Sequence, residues 1–430
     1  MKKIFKSFNL GVIGLILLLS LGVVACGKSN ENNMNHENMK DLDHGSMDKD
    51  ENNDMKDKGN MKHKVMIPTD FNANATNGLL VTNTKNVTRL NTSDPIQLAI
   101  QVSQTIWPAT HKENQPGAVI LVPLGSWQID IASADLIHHP NNGPVLYIDK
   151  DNVPTSTLNE IKRLNPVGTK DGIQVMVMGD VSNSVINSLK DYKIKQVKGT
   201  DSATFAKDVD KLYANDTDGY PSSVIIGSSD EEARLYTTPI VNWIAHMPEP
   251  LLYVTKNEVP QATIEALKER KGKANIYVVG PESIISADVE KKLGEHGTVT
   301  RISGKDPVEN SIAFAKFRDT KTKFGWGITQ PGHGVSFVST DSPDLAVVGA
   351  PISHLGKHAP IILLDKGEPT QPVYDFLATI KPMFKESPTE GPYNHAFLLG
   401  TEKELSNKTQ GILDEQLEIV SASGKGHGGH

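Results

Sequence analysis

Val299-Thr300-Arg301-Ile302-Ser303-Gly304-Lys305-Asp306-Pro307 has two further versions in the chain. These are Val87-Thr88-Arg89-Leu90-Asn91-Thr92-Ser93-Asp94-Pro95 and, more loosely, Ile194-Lys195-Gln196-Val197-Lys198-Gly199-Thr200-Asp201-Ser202. Their aspartates stand 107 and 105 residues apart. So even a period marks one unit present three times. Each version reads as strand, turn and helix: a β-branched run stops, and an Asp is placed to accept the free amide protons of a first helical turn. In two versions Pro follows at the first helical position, where its missing N–H costs nothing.

Two more markers keep step. Pro144-Val145-Leu146-Tyr147, Pro250-Leu251-Leu252-Tyr253 and Pro360-Ile361-Ile362-Leu363 are short apolar runs, each entered through a proline suited to a strand's first position. Pro154, Pro260 and Pro369 then open amphipathic stretches such as Pro260-Gln261-Ala262-Thr263-Ile264-Glu265-Ala266-Leu267-Lys268.

At 430 residues the chain is too long for one ordinary core, whereas units of about a hundred residues are of normal domain size. Its N-terminus is built differently. Lys2, Lys3 and Lys6 precede an apolar run from Leu10 to Val24, shorter than the roughly 20 residues a spanning helix needs. That is a signal-peptide core, residues 1–25. Leu21-Gly22-Val23-Val24-Ala25-Cys26 resembles the cleavage box of bacterial lipoproteins, which implies cutting before Cys26 and acylation of its thiol. Cys26 is the chain's single cysteine, so no internal disulfide can form. An acylated residue would hold the protein on membrane lipid at the extracytoplasmic face of the cell membrane. Without residues 1–25 the chain has 41 basic and 51 acidic side chains. That balance argues against nucleic acid as a partner and requires any anionic partner to meet a local basic patch or a bridging cation.

Residues 26–84 read as a tether. Asn, Asp, Glu and Lys dominate residues 27–66, too few apolar groups to offset ordering entropy, so disorder is expected. Yet six of the 11 methionines, Met34, Met39, Met47, Met55, Met61 and Met66, fall there, with His36, His44 and His63. The pairs His36/Met39, His44/Met47 and His63/Met66 share one spacing, and thioether with imidazole suits copper. The repeated His-x-x-Met resembles segments of bacterial copper-binding surface proteins. The 423–430 tail, with His427 and His430 on a glycine arm, adds two imidazoles. No cofactor is required by this reading; copper is the one candidate.

The three repeats are drawn at 85–191, 192–296 and 297–422. In each, apolar strands alternate with helical stretches, the pattern of a parallel sheet covered by helices, so the fold class is α/β. The first repeat shows strands at Ala118–Val122, at Pro144 and at Ile173–Met178, and the others follow the same succession, with Gly179, Gly280 and Gly400 closing corresponding strands. Ser182, Ser283 and Ser406 are the expected helix starters after them.

The threefold Thr-Arg-x-x-Gly-x-Asp phrase, the Pro-Ile-Leu-Leu strand, the Pro-led helix and the Tyr-Val-Val-Gly strand together resemble the cell wall-binding repeat 2 family of Gram-positive bacteria, over about Lys85 to Ala422. The resemblance implies three Rossmann-like modules in a pseudo-threefold arrangement, an intramolecular pseudo-trimer in a monomeric chain. It also implies non-covalent binding of an anionic cell-wall polymer. By position, the binding residues would be Pro144, Val145, Leu146, Tyr147, Pro250, Leu251, Leu252, Tyr253, Pro360, Ile361, Ile362 and Leu363. Arg89 and Arg301 are further candidates for gripping phosphate. The sequence departs from the family in having Pro or Ser after the phrase's Asp, and Gln196 where the other copies have Arg.

No Gly-x-Ser-x-Gly, paired Ser-x-x-Lys or phosphate-cradling Gly-x-Gly-x-x-Gly is present. His354 and His358 have helical ligand spacing, but Gly356 between them favours a loop or helix end. His138 and His139 precede a turn and are expected at the surface; His246 is expected to cap a helix. The resulting expectation is a non-catalytic, lipid-anchored wall-binding protein. The alternative is a surface copper-binding lipoprotein whose working residues are His36, Met39, His44, Met47, Met61, His63 and Met66.

Overall fold

A strand apolar at every position needs cover on both faces, and a parallel sheet under helices supplies it. The computed structural model of the chain describes residues 67–423, apart from positions 73, 200 and 356, and shows three such sheets. The readings made for residues 1–25, Cys26, the methionine/histidine segment and the tail beyond 423 lie outside the described residues.

Among the described residues the first strand is β1 (Val87–Leu90), followed by helix α1 (Pro95–Ile106). The first sheet is built from β2 (Val119–Pro123), β3 (Val145–Ile148), β4 (Val175–Met178) and β5 (Ile194–Val197), ordered β3-β2-β4-β5. Helices α2 (Trp127–Ser133), α3 (Thr155–Leu164) and α4 (Asn183–Ser188) connect them. After α5 (Ser202–Asp216) comes the second sheet: β6 (Ser223–Ser228), β7 (Leu251–Val254), β8 (Ala274–Val279) and β9 (Gly297–Ile302), ordered β7-β6-β8-β9. Its helices are α6 (Arg234–Thr237), α7 (Ile240–His246), α8 (Gln261–Lys268) and α9 (Ala287–Leu293). Helix α10 (Pro307–Lys316) leads into the third, with β10 (Gly334–Ser339), α11 (Asp344–Gly349), β11 (Ile361–Leu364), α12 (Gln371–Thr379), the two-residue β12 (Met383–Phe384), β13 (His395–Leu399), α13 (Asn407–Leu417) and β14 (Val420–Ser421). The short β12 and β14 pair with each other.

The repeat is legible in individual hydrogen bonds. The prolines that introduce β3, β7 and β11 each accept from the neighbouring strand: Ile120 N to Pro144 O, Ile225 N to Pro250 O and Ser336 N to Pro360 O, all 2.9 Å. Asp94, Asp201 and Asp306 all cap their helices through the side chain, on Ile96 and Gln97 N, on Thr204 N and on Glu309 N. Ser406 and Ser286 cap in the same way, so the second module uses Ser286 where Ser283 was expected; Ser182 stands at the N-cap without such a bond.

The sheets do not coincide with the sequence repeats at 85–191, 192–296 and 297–422. β5 completes the first sheet and β9 the second, while β1 pairs in parallel with β13 and completes the third. The phrase is therefore split between modules, its strand joining one sheet and its helix packing over the next: α1 against β3, α5 against β7, α10 against β11. The physical reason is the length of the turn: a few residues suffice to carry the chain from a strand's end into a helix on the adjoining module. As a result the beginning of the fold is fastened to its end.

Strand residues alternate between two cores. In the second sheet Ile225, Leu251, Tyr253 and Tyr277 belong to a large cluster shared with residues of the other two modules, whereas Val224, Ile226, Leu252 and Val278 belong to a smaller one on the opposite face. Among the described residues no helix is long and apolar enough to cross a membrane.

Candidate functional site

Ligands of parallel α/β sheets bind beyond the carboxyl ends of the strands. Here β3, β7 and β11 run into three equivalent tight loops: Asp149-Lys150-Asp151-Asn152, Thr255-Lys256-Asn257-Glu258 and Asp365-Lys366-Gly367-Glu368. Each closes on itself, with Asp149 N bonded to Asn152 O at 3.0 Å, Thr255 N to Glu258 O at 3.0 Å and Glu368 N to Asp365 O at 2.9 Å. The loops are also held from outside, by Ser182 N on Lys150 O, Ser286 N on Lys256 O and Thr340 Oγ1 on Lys366 N. The lysine side chains at 150, 256 and 366 are exposed and are absent from the ion pairs of the described residues. Beside the third loop is a groove of about 370 Å³ lined by Lys305, Asp306, Thr340, Asp365, Thr370 and Pro372. Thr370 Oγ1 is buried there without a hydrogen-bond partner.

The twelve strand residues assigned by position to polymer contact are core residues instead. Val145, Leu146, Tyr147, Leu251, Leu252, Tyr253, Ile361, Ile362 and Leu363 are at most 2% exposed, and Pro144, Pro250 and Pro360 are buried too. Their apolarity is explained by packing on both faces, which leaves these side chains little surface to offer a ligand.

Arg89 and Arg301 are likewise committed within the protein. Arg301 donates to Gly280 O at 2.7 Å and to Ile285 O at 3.0 Å, and pairs with Glu290. Arg89 donates to Gly400 O and to Gln410 Oε1, and Gln196 donates to Gly179 O at 3.2 Å. All three therefore hold the carbonyl of the glycine that ends the adjacent strand, glycines whose φ of +73°, +126° and +126° suits a residue without Cβ. An amide performs this task as a guanidinium does, which accounts for Gln196. Arg301→Gln is accordingly expected to cost about 1 kcal/mol, and Arg301→Ala, which strips Glu290 and two carbonyls of their donor, about 3 kcal/mol, read by urea unfolding.

What the sequence did not show is that the histidines meet. The rings of His138 and His139 from the first module lie 5.6 and 5.1 Å from that of His354 in the third. His246, the last residue of α7, faces His358 with Nε2 to Nδ1 at 2.9 Å. His354 is buried, not solvated, and its Nε2 lies 2.9 Å from Asn142 Oδ1; His358 adopts φ +46° outside any helix, so the two are not ligands on one helical face. Burial lowers His138 to about 4 and His246 and His354 to about 3, with the neighbouring imidazoles adding to the effect. Burial also raises Glu249 to about 7, and lifts Asp130 and Asp135 well above the carboxylate range.

These shifts have opposite signs in stability. A depressed histidine contributes stability above its unfolded value near 6.5 and loses it as pH falls toward the folded value. The raised acids contribute below their unfolded values and lose it as pH rises. The difference between wild type and His354→Gln isolates one limb: below about pH 6.5 the wild type should lose roughly 1.4 kcal/mol per pH unit relative to the variant, down to about pH 3, measured by denaturant titration.

A second concavity, of about 810 Å³, lies between residues 68–84 and α13, lined among others by Phe71, Leu79, Val81, Arg89, Lys408 and Gln410. Arg89 is buried there, with its Nε and Nη1 engaged and its Nη2 without a hydrogen-bond partner, and Lys408 pairs with Glu368 and lies over the Phe71 ring.

No family model matches the chain. Over 225 residues, 52% of its length, it is 26% identical to N-acetylmuramoyl-L-alanine amidase LytC of Bacillus subtilis (strain 168), covering 41% of that protein. Two solved structures are similar in fold: Cwp6 from Clostridium difficile, with a TM-score of 0.62 and 17% identity over 81% of this chain, and Cwp8 from Clostridium difficile, with 0.60 and 18% over 78%. The chain spans 50% and 52% of those two structures, so it matches about half or less of each of these proteins. The likeness to the two structures shows a shared α/β fold of parallel-sheet modules.

Proposed function

We propose that the described residues form a non-catalytic module that holds the protein to the bacterial cell wall by binding an anionic wall polymer. The three modules are taken to stand in a pseudo-threefold arrangement, which presents the loops after β3, β7 and β11 as three copies of one contact. The observation that carries this reading is the recurrence of one exposed lysine, Lys150, Lys256 and Lys366, in each module, on a loop closed by a backbone hydrogen bond of its own. A polymer with a repeating charge is met by repeated single cations, each weak, together strong. The wall-related names of the similar proteins point the same way, and we take the stretch shared with the amidase to be wall-binding.

The non-catalytic reading has its own support. Reactive sites put displaced titratable groups in open clefts. Here the strongly displaced ones, Asp130, Asp135, Glu249, His138, His246 and His354, are buried or half-buried in the packing between elements. Lipid anchoring through Cys26, with the outer face of the membrane as location, belongs to the same proposal.

The test is sedimentation of the full chain carrying Cys26→Ser, to exclude acylation, with purified wall before and after removal of its anionic polymers. Retention that disappears with the polymers is expected; retention by stripped wall, or none by intact wall, overturns the reading. Carboxylates accompany the lysine in every loop (Asp149, Asp151, Glu258, Asp365 and Glu368), which favours a second route through a shared divalent cation. Loss of retention in chelator, restored by Ca²⁺ or Mg²⁺, identifies that route.

A further inference from the structure

His246 and His358 approach from different modules: the first ends α7 in the second, and the second precedes β11 in the third. Their nearest nitrogens, His246 Nε2 and His358 Nδ1, are 2.9 Å apart with the rings at 85°. His246 is oriented before any ligand arrives. Its ring stacks on Trp326 at 5.4 Å and 8°, and meets Trp243 edge-on at 6.2 Å. Trp243 is itself pinned by its Nε1 on Glu249 at 3.0 Å. His358, by contrast, is exposed, and it can shift while its partner cannot.

We propose that His246 and His358 form a site for a borderline divalent transition-metal ion, Zn(II), Ni(II) or Cu(II), which fastens the second module to the third. Imidazole is the ligand these ions share. Two nitrogens bound to one tetrahedral ion at about 2.0–2.1 Å stand about 3.3 Å apart, so the exposed ring has to withdraw by about 0.4 Å and both lone pairs have to turn from each other toward the ion. The rigid ring packed behind the ligating nitrogen does for orientation what outer partners do at natural sites. Among the described residues no group of three or more His, Cys, Asp or Glu side chains is arranged to hold a metal, so water completes the coordination and binding is exchangeable.

The site uses no residue of the methionine/histidine segment or of the tail, and the experiment keeps both intact. Cu(II) quenches indole fluorescence at short range, and Trp326 and Trp243 lie against His246. Full chain is titrated with Cu(II), alone and with Zn(II) as competitor, alongside His358→Asn, which tolerates the left-handed backbone, and His246→Gln. Saturable quenching is expected, relieved by Zn(II), with the half-quenching concentration raised roughly tenfold or more in either variant. Circular dichroism of the metal-free variants confirms that they are folded. A quenching curve unchanged in His358→Asn, or one that Zn(II) does not move, overturns the proposal, because the segment and the tail would then account for all the copper bound.

Discussion

A chain carrying Val87→Asp and Leu90→Asp is expected to lose its third sheet's edge strand and with it the fastening of beginning to end. β1 is four residues long, but Val87 and Leu90 are 0% and 5% exposed and pack into the shared core. Burial of two such side chains is worth about 4 kcal/mol, and each ladder bond of β1 on β13 adds about 1 kcal/mol net. Arg89, buried between them, would also release Gly400 O and Gln410. The total, about 8 kcal/mol, approaches the whole stability of an ordinary domain. Thermal unfolding should therefore change from one transition to two, the earlier belonging to the third module. Hydrogen exchange should locate the damage: the amides of Ala396 and Gly400, bonded to Asn86 O and Leu90 O, are expected to lose protection first. A melting temperature within about 2 °C of wild type would show that the closure carries little of the stability.

That strand also marks where the sequence stopped being readable. Its existence, its end at Leu90 and the Asp94 cap were all legible, because β-branched residues, a turn and a capping carboxylate are local signals. Its partner was not. The phrase is contiguous in the chain, so it was assigned whole to the repeat it opens, and nothing in Val87–Leu90 announces a sheet whose other strands begin at Gly334. Parallel pairing carries no register signal in sequence. The same limit hid the histidines. His138, His246 and His354 occupy the stretch before β3, β7 and β11 in their modules, and only the packing of α2, α7 and α11 against one another brings those stretches together. The arginines were misjudged for a different reason: a cation at a repeated position suits an anionic ligand or a repeated structural task equally well. The carbonyls of Gly179, Gly280 and Gly400 decide for the second.

The loops beyond β3, β7 and β11 make the opposite case, since the sequence contains the lysines but gives no reason to choose them from 44 basic residues. Exposure and the fixed backbone give that reason, and they set the size of the effect. Reversing one charge, as in Lys150→Glu, should lower wall retention only severalfold, because the other two contacts keep the polymer within reach and the third rebinds intramolecularly. Lys150→Glu, Lys256→Glu and Lys366→Glu together remove all three and replace attraction by repulsion beside carboxylates already present. Retention is then expected to fall by roughly 10²–10⁴, the range that multivalency itself contributes. Exposed side chains outside any ion pair contribute within about 0.5 kcal/mol to folding, so the triple variant should melt with the wild type. If the triple variant, folded and free of acyl chain, sediments with wall as the wild type does, the lysines are not the contact. If instead each single reversal costs as much as the triple, the polymer is gripped at one site and the modules do not act as equivalent copies.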